Sequence, residues 1–178
     1  MTRADVTPLL DELRALGSAE KRASMIRTGI KADGAFGVSI YDLRKVAQRL
    51  GTDHRLALAL WATGQHEARL LACFVDSPAE VTEEQVEARA SGFDSWDVCD
   101  QACTSLFDLT VHAWPKAAEW ALRDEEWVKR AGFALMAGLA VHDRESDDAA
   151  FLRLLPLIER GARDDRNYVK KAVNWALR

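Results

Sequence analysis

Trp127-Val128-Lys129-Arg130-Ala131 returns 41 residues further on as Tyr168-Val169-Lys170-Lys171-Ala172. An aromatic, a valine, two cations and an alanine in the same order mark one structural unit used twice. The segments beginning near 66, 95, 125 and 164 each follow a shorter or more polar helical stretch. The spacing amounts to roughly 30 to 40 residues per unit, two helices to each. A unit of that length and content is that of an α-solenoid of the HEAT type, in which each repeat buries its apolar side against its neighbours. The expected fold is therefore all-α: a right-handed solenoid of HEAT-like antiparallel helix pairs with about 11 helices and a concave groove.

The rest of the chain agrees with this reading. Helix formers are abundant, and no segment alternates polar and β-branched residues as a strand does. Helices are expected over 3–16, 18–31, 39–50, 53–63, 66–76, 82–91, 95–107, 112–122, 125–141, 147–161 and 164–178. Ser39 with Asp42, and Thr82 with Gln85, stand as N-terminal caps. Gly51 and Pro78 separate helices, Pro115 suits a first turn, and Gly34 and Gly37 bracket a loop. The 178 residues suffice for one domain, 1–178. The last apparent helix runs to Arg178 with no stop signal, so further C-terminal helices of the natural protein are expected beyond it.

Composition narrows the function classes. At 48% hydrophobic and 29% charged the chain is globular. No apolar run reaches the roughly 18 residues of a membrane span, and the N-terminus has no signal-peptide core. Cys73, Cys99 and Cys103 form an odd set without metal-ligand spacing, and the histidines are scattered. Reduced thiols, a cytoplasmic location and no metal or other cofactor are the expectation. The net charge is −4, but it is uneven. Residues 1–60 carry 10 cations against 7 acids, residues 61–124 carry 4 against 12, and residues 125–178 carry 10 against 9. An acidic protein still binds nucleic acid if one face is locally basic.

Chemistry concentrates in Ser95-Trp96-Asp97-Val98-Cys99-Asp100. On a helix Trp96 and Asp100 stand one turn apart on one face. An indole beside a carboxylate stabilises a cation through its ring and its charge. Stacked second helices would bring Arg130, Lys170, Lys171 and Trp175 to the same groove. The remaining tryptophans, Trp61, Trp114, Trp120 and Trp127, are assigned to packing. Arg44 and Arg69 are assigned to structural pairs with Asp42 and Glu67.

From Gly34 to Arg178 the chain resembles the AlkD-like DNA alkylation repair glycosylases. The resemblance rests on Gly37-Val38-Ser39-Ile40 before Leu43-Arg44, on His66-Glu67-Ala68-Arg69, on the Ser95–Asp100 hexapeptide, on Trp127–Leu135 and on Tyr168–Arg178. It implies excision of cationic N3- or N7-alkylated purines from duplex DNA, without a metal and without flipping the base. It places the catalytic set on Trp96, Asp100, Arg130 and Trp175. By its own chemistry Arg130 either clamps a phosphate near the lesion or pairs with Glu126 one turn back, and Lys129, Lys170 and Lys171 are the expected phosphate contacts on DNA. The expected protein is a monomer. Lys170 and Asn174 stand where that family has Arg and Gly. Two other uses of the fold stand beside the enzyme: a module that binds damaged or branched DNA without excision, and a protein–protein scaffold.

Overall fold

The computed structural model describes residues 6–178, which form two compact units, one reaching to Glu80 and the other Val81–Arg178. Among the described residues there are twelve α-helices, one short 3-10 turn and no strand.

The first unit holds α1 (Thr7–Leu16), α2 (Ala19–Arg27), α3 (Ile40–Leu50), α4 (His54–Trp61) and α5 (His66–Val75). The expected start of α1 at residue 3 lies outside the described residues. The expectation of a helix over 18–31 is corrected: α2 stops at Arg27 because Gly29 turns left-handed (φ 79°) and Ile30 N–H closes back on the Met25 carbonyl. Leu13, Leu43, Val46, Leu60, Leu70, Leu71 and Val75 form the core. The loop before α3 is held by one side chain. The fully buried Glu67 carboxylate accepts the N–H groups of Phe36 (3.1 Å), Gly37 (2.7 Å) and Val38 (3.3 Å), and the Gln65 amide (2.6 Å). Gly37 has φ +82°, and a β-carbon there would lie 2.3 Å from the Ser18 carbonyl oxygen, so only glycine closes this turn.

The second unit is two layers of helices. α6 (Glu83–Ser91) and α8 (Ala113–Trp120) form one layer, and α7 (Trp96–Ser105), α9 (Glu126–His142) and α12 (Asn167–Leu177) the other. Contacts rise in step along both members of each pair, so the helices within a layer run parallel. Glu87 lies against Lys116 and Trp120 between α6 and α8. Cys99 and Cys103 donate to the Trp127 and Ala131 carbonyls between α7 and α9. α8 runs antiparallel to α9, with Trp114 meeting Asp143 at one end and Ala121 meeting Gly132 at the other. A 3-10 turn, Phe107–Leu109, follows α7 and joins Phe93 and Trp120 in an aromatic cluster. The repeated pentapeptides begin α9 and α12, and their aromatics, Trp127 and Tyr168, touch with ring centres 4.8 Å apart.

α9 is the axis of this unit. Every residue from Arg130 to Leu139 is buried, which requires neighbours on all sides. Glycines allow that closeness. A β-carbon on Gly132 would sit 2.5 Å from the Ala121 nitrogen, and one on Gly161, in α11 (Leu155–Gly161), 2.3 Å from the Phe133 ring. The single helix expected over 147–161 is corrected to two, α10 (Asp148–Leu152) and α11. Pro156 has no N–H to donate back across the break, and its ring excludes the preceding carbonyl.

Outside α9 the layer of α6 and α8 is tied by Lys116, whose side chain is only 5% exposed and whose ammonium meets Glu83, Glu87 and Glu119 at 2.7–2.8 Å. The three carboxylates raise its pKa against the opposing effect of burial, so it stays charged. Gly132→Ala tests the close approach of α8. The substitution gains about 1 kcal/mol in helix propensity but drives a methyl group into backbone, so we expect a net loss of about 2 kcal/mol in urea unfolding.

Candidate functional site

α7 starts where Ser95 leaves extended backbone and Trp96 enters the first turn. This puts Trp96 and Asp100 one turn apart, both half-buried, on one side of α7. α9 runs parallel beside it and carries Arg130 in its second turn. The guanidinium and the carboxylate form a two-point contact: Nε donates to Oδ1 at 2.9 Å and Nη2 to Oδ2 at 2.7 Å. The third guanidinium nitrogen, Nη1, donates to the Tyr168 carbonyl at 2.6 Å, at the start of α12. One arginine thus joins α7, α9 and α12.

The pair is nearly shut in, with side chains 13% exposed for Asp100 and 6% for Arg130. Burial raises the Asp100 pKa above the ordinary carboxylate value. The bond and charge of Arg130 pull it down, and the nearby Asp97 charge pushes it up, leaving a net rise. Asp97 is itself buried and accepts the Ser95 hydroxyl. The Cys99 and Cys103 thiols lie behind the pair, fully buried, and burial holds the Cys103 thiol well above its usual range. A carboxylate in this setting is fixed in place by its partner and poorly hydrated. Both properties strengthen its action on a cation brought against it.

Among the residues expected at the site, Trp96, Asp100 and Arg130 come together in the sense described: same face, adjacent parallel helices, direct pairing. Arg130 differs from the expectation of a phosphate clamp. Buried charge needs a partner, and its guanidinium is turned inward onto Asp100 and Tyr168. Lys129 is also engaged, 3.2 Å from Asp164, which Arg166 grips with two further bonds. Asp164 is held well below the usual carboxylate range, chiefly by Arg166. Lys170 and Lys171 are exposed, the first 3.9 Å from Asp165 and the second over the Tyr168 ring.

Trp175 stands apart from the acid. It lies seven residues beyond Tyr168 on α12, roughly 10 Å along the axis at about 1.5 Å per residue. There it lines a pocket of about 490 Å³ with Ala137, Ala140, Val141, Ala176 and Arg178. Of the tryptophans assigned to packing, Trp120 is fully buried, Trp127 lies on Tyr168, and Trp114 bonds Asp143 and packs on Phe151. Trp61 lies under the Arg69 guanidinium and Phe74 under that of Arg44. Asp42 bonds Lys21 and Ser39, and Glu67 holds the loop before α3. Sequence reasoning missed Tyr168, Asp97 and Arg166. The repeat carried the signal for Tyr168, since it occupies the place that Trp127 has in the other copy. Among the described residues no cluster of three or more His, Cys, Asp or Glu suits a metal, and no helix is long and apolar enough to cross a membrane.

Three comparisons bear on this arrangement. The family model described as DNA alkylation repair enzyme matches residues 9–178. No curated protein matches the chain. A solved structure, described as one of a new family related to the HEAT-like repeat DNA glycosylases with affinity for branched DNA structures, is similar with a TM-score of 0.86. The similarity spans 97% of this chain and 74% of that one at 21% identity, and it shows the fold, one of HEAT-like helical repeats.

The raised Asp100 pKa has a defined linkage. Between the unfolded carboxylate value and the higher folded one, the native state holds more protons than the unfolded state, so stability falls as pH rises through that window. Arg130→Gln removes the pull downward. We expect the Asp100 carboxyl to titrate at higher pH than in the parent, read by carbon NMR, and folding stability at neutral pH to fall by about 3 kcal/mol, since a buried charge loses its partner.

Proposed function

The chain belongs to the DNA alkylation repair enzyme family, and we propose that it hydrolyses the N-glycosidic bond of cationic N3- or N7-alkylated purines in duplex DNA. The observation that carries this reading is the Asp100 carboxylate held at two points by Arg130, one turn from Trp96. An alkylated purine cation leaves as a neutral base, so the reaction asks little of a general acid. It asks for stabilisation of the positive charge that grows on the deoxyribose and for an oriented water. Ionised Asp100 supplies both. At about 4 Å and an effective dielectric near 20, a lone carboxylate attracts a unit charge by roughly 4 kcal/mol, about a thousandfold in rate. This is an upper bound here, because the Arg130 cation offsets part of it.

In this proposal Trp96 offers its ring to the cationic base or sugar. Arg130 is a positioning residue that keeps the carboxylate ionised and aimed. Lys170 and Lys171, exposed on α12, take phosphates, as does Lys129 when released from Asp164. Trp175, two turns away, meets the duplex beside the lesion rather than the reacting sugar. The base stays within the duplex and no metal takes part. A second reading has its own support: the similar solved structure is described as belonging to a family with affinity for branched DNA, and the acid here is mostly covered. In that case the same surface binds DNA and excises nothing.

Release of 7-methylguanine or 3-methyladenine from methylated duplex separates the two. Excision predicts release by the parent chain and a loss of up to about a thousandfold in Asp100→Asn with binding retained. It also predicts that release declines as pH is lowered through the raised Asp100 midpoint, where the carboxylate becomes neutral. Binding without release in parent and variant alike refutes excision and favours the module.

A further inference from the structure

The outer face of α3, in the first unit, presents an exposed aromatic ring beside cations. Tyr41, Arg44, Lys45 and Gln48 follow one another at helical spacing, and all four are exposed. Tyr41 is 68% exposed, more than an aromatic ring needs to be if its role is packing. The Lys45 ammonium lies over it, 4.2 Å from the ring centre. The Arg44 guanidinium lies 4.5 Å from the centre of the Phe74 ring. The carboxylate of α3 itself, Asp42, is bonded by Lys21 and Ser39, and Arg49 is matched by Glu12. On this face Lys21 is paired with Asp42 and Arg49 with Glu12, while Lys45 and Arg44 lie over aromatic rings.

We propose that this face of α3 takes an unpaired strand of DNA, with a base stacked on Tyr41 and the adjoining phosphates on Lys45 and Arg44. A ring 68% exposed beside an ammonium leaves apolar surface in water on which a nucleobase can lie. Stacking platforms flanked by cations are how proteins hold single strands without reading sequence, since every base has a π-face. A base inside a duplex is stacked on its own neighbours and has no face to give, so the platform selects unpaired DNA. The inference rests on the repair reading only in naming DNA as the strand.

The test is binding of a labelled oligothymidine by fluorescence anisotropy at several salt concentrations, with base release from methylated duplex measured on the same proteins. Tyr41→Ala is expected to weaken strand binding about tenfold, and Tyr41→Phe to keep it, since stacking needs the ring and not the hydroxyl. Lys45→Gln is expected to lower the slope of log affinity against log salt by about 0.7, the value for one phosphate contact on a single strand. Circular dichroism melts check that each variant is folded, and the exposure of Tyr41 makes loss of the fold a minor risk. Strand binding that is absent, or equal in the parent and Tyr41→Ala, overturns the proposal, including the case in which this face serves a protein partner. If Tyr41→Ala weakens strand binding while the parent releases no base, the excision reading falls and this one stands. If the parent releases base and Tyr41→Ala binds the strand normally, this one falls alone.

Discussion

A guanidinium placed in the second turn of a helix buried on all sides has to meet a carboxylate, and Arg130 meets Asp100. The two hydrogen bonds between them do more than cancel charge. They fix where α7 stands along α9, because the planar fork accepts a carboxylate in one orientation. The bond to the Tyr168 carbonyl fixes α12 by the same means. The candidate site and the register of the helix layer are consequently one structure. A change that loosens the pair disturbs the acid and the alignment of three helices together.

The glycines make that layer tight enough to matter. Gly132 and Gly161 remove the β-carbons that would keep α8 and α11 away from α9. The residues behind the pair are then small or sulfur-bearing, and the thiols of Cys99 and Cys103 find backbone carbonyls instead of water. Water is kept from the rear of Asp100, which is why its pKa lies above the ordinary carboxylate value in spite of its partner.

Most of the fold could be read in the chain. The pentapeptide repeat gave the two-helix unit, and the parallel packing of α7, α9 and α12 is its physical meaning. The nearness of Asp100 to Arg130 is what stacked repeats produce, and Trp96 and Asp100 share a face by helical spacing. Two things were not legible. Helix ends depended on local backbone events, such as the left-handed Gly29 and the break before Pro156, which act at one residue and leave the periodicity intact. The direction of long side chains depended on burial. Arg130 and Lys129 read as cations free to meet phosphates, but their positions in the layer give them Asp100 and Asp164. Arg69 and Glu67 stand two residues apart, a spacing that puts them on different sides of a helix, and one lies over the Trp61 ring while the other holds the loop before α3. A one-dimensional pattern says which residues share a face and not which partner on the facing element will win.

The loop ahead of α3 carries a last consequence. Three successive amide groups, at Phe36, Gly37 and Val38, converge on one point, a concavity of the kind that elsewhere captures phosphate. Here the cradle is filled from within, by Glu67. The protein has supplied its own anion, so the turn is organised before any nucleic acid arrives, and a DNA backbone passing nearby finds no vacancy in it. In the proposed binding of DNA by this unit, recognition falls to side chains that reach outward, while the amide dipoles hold the entrance of α3.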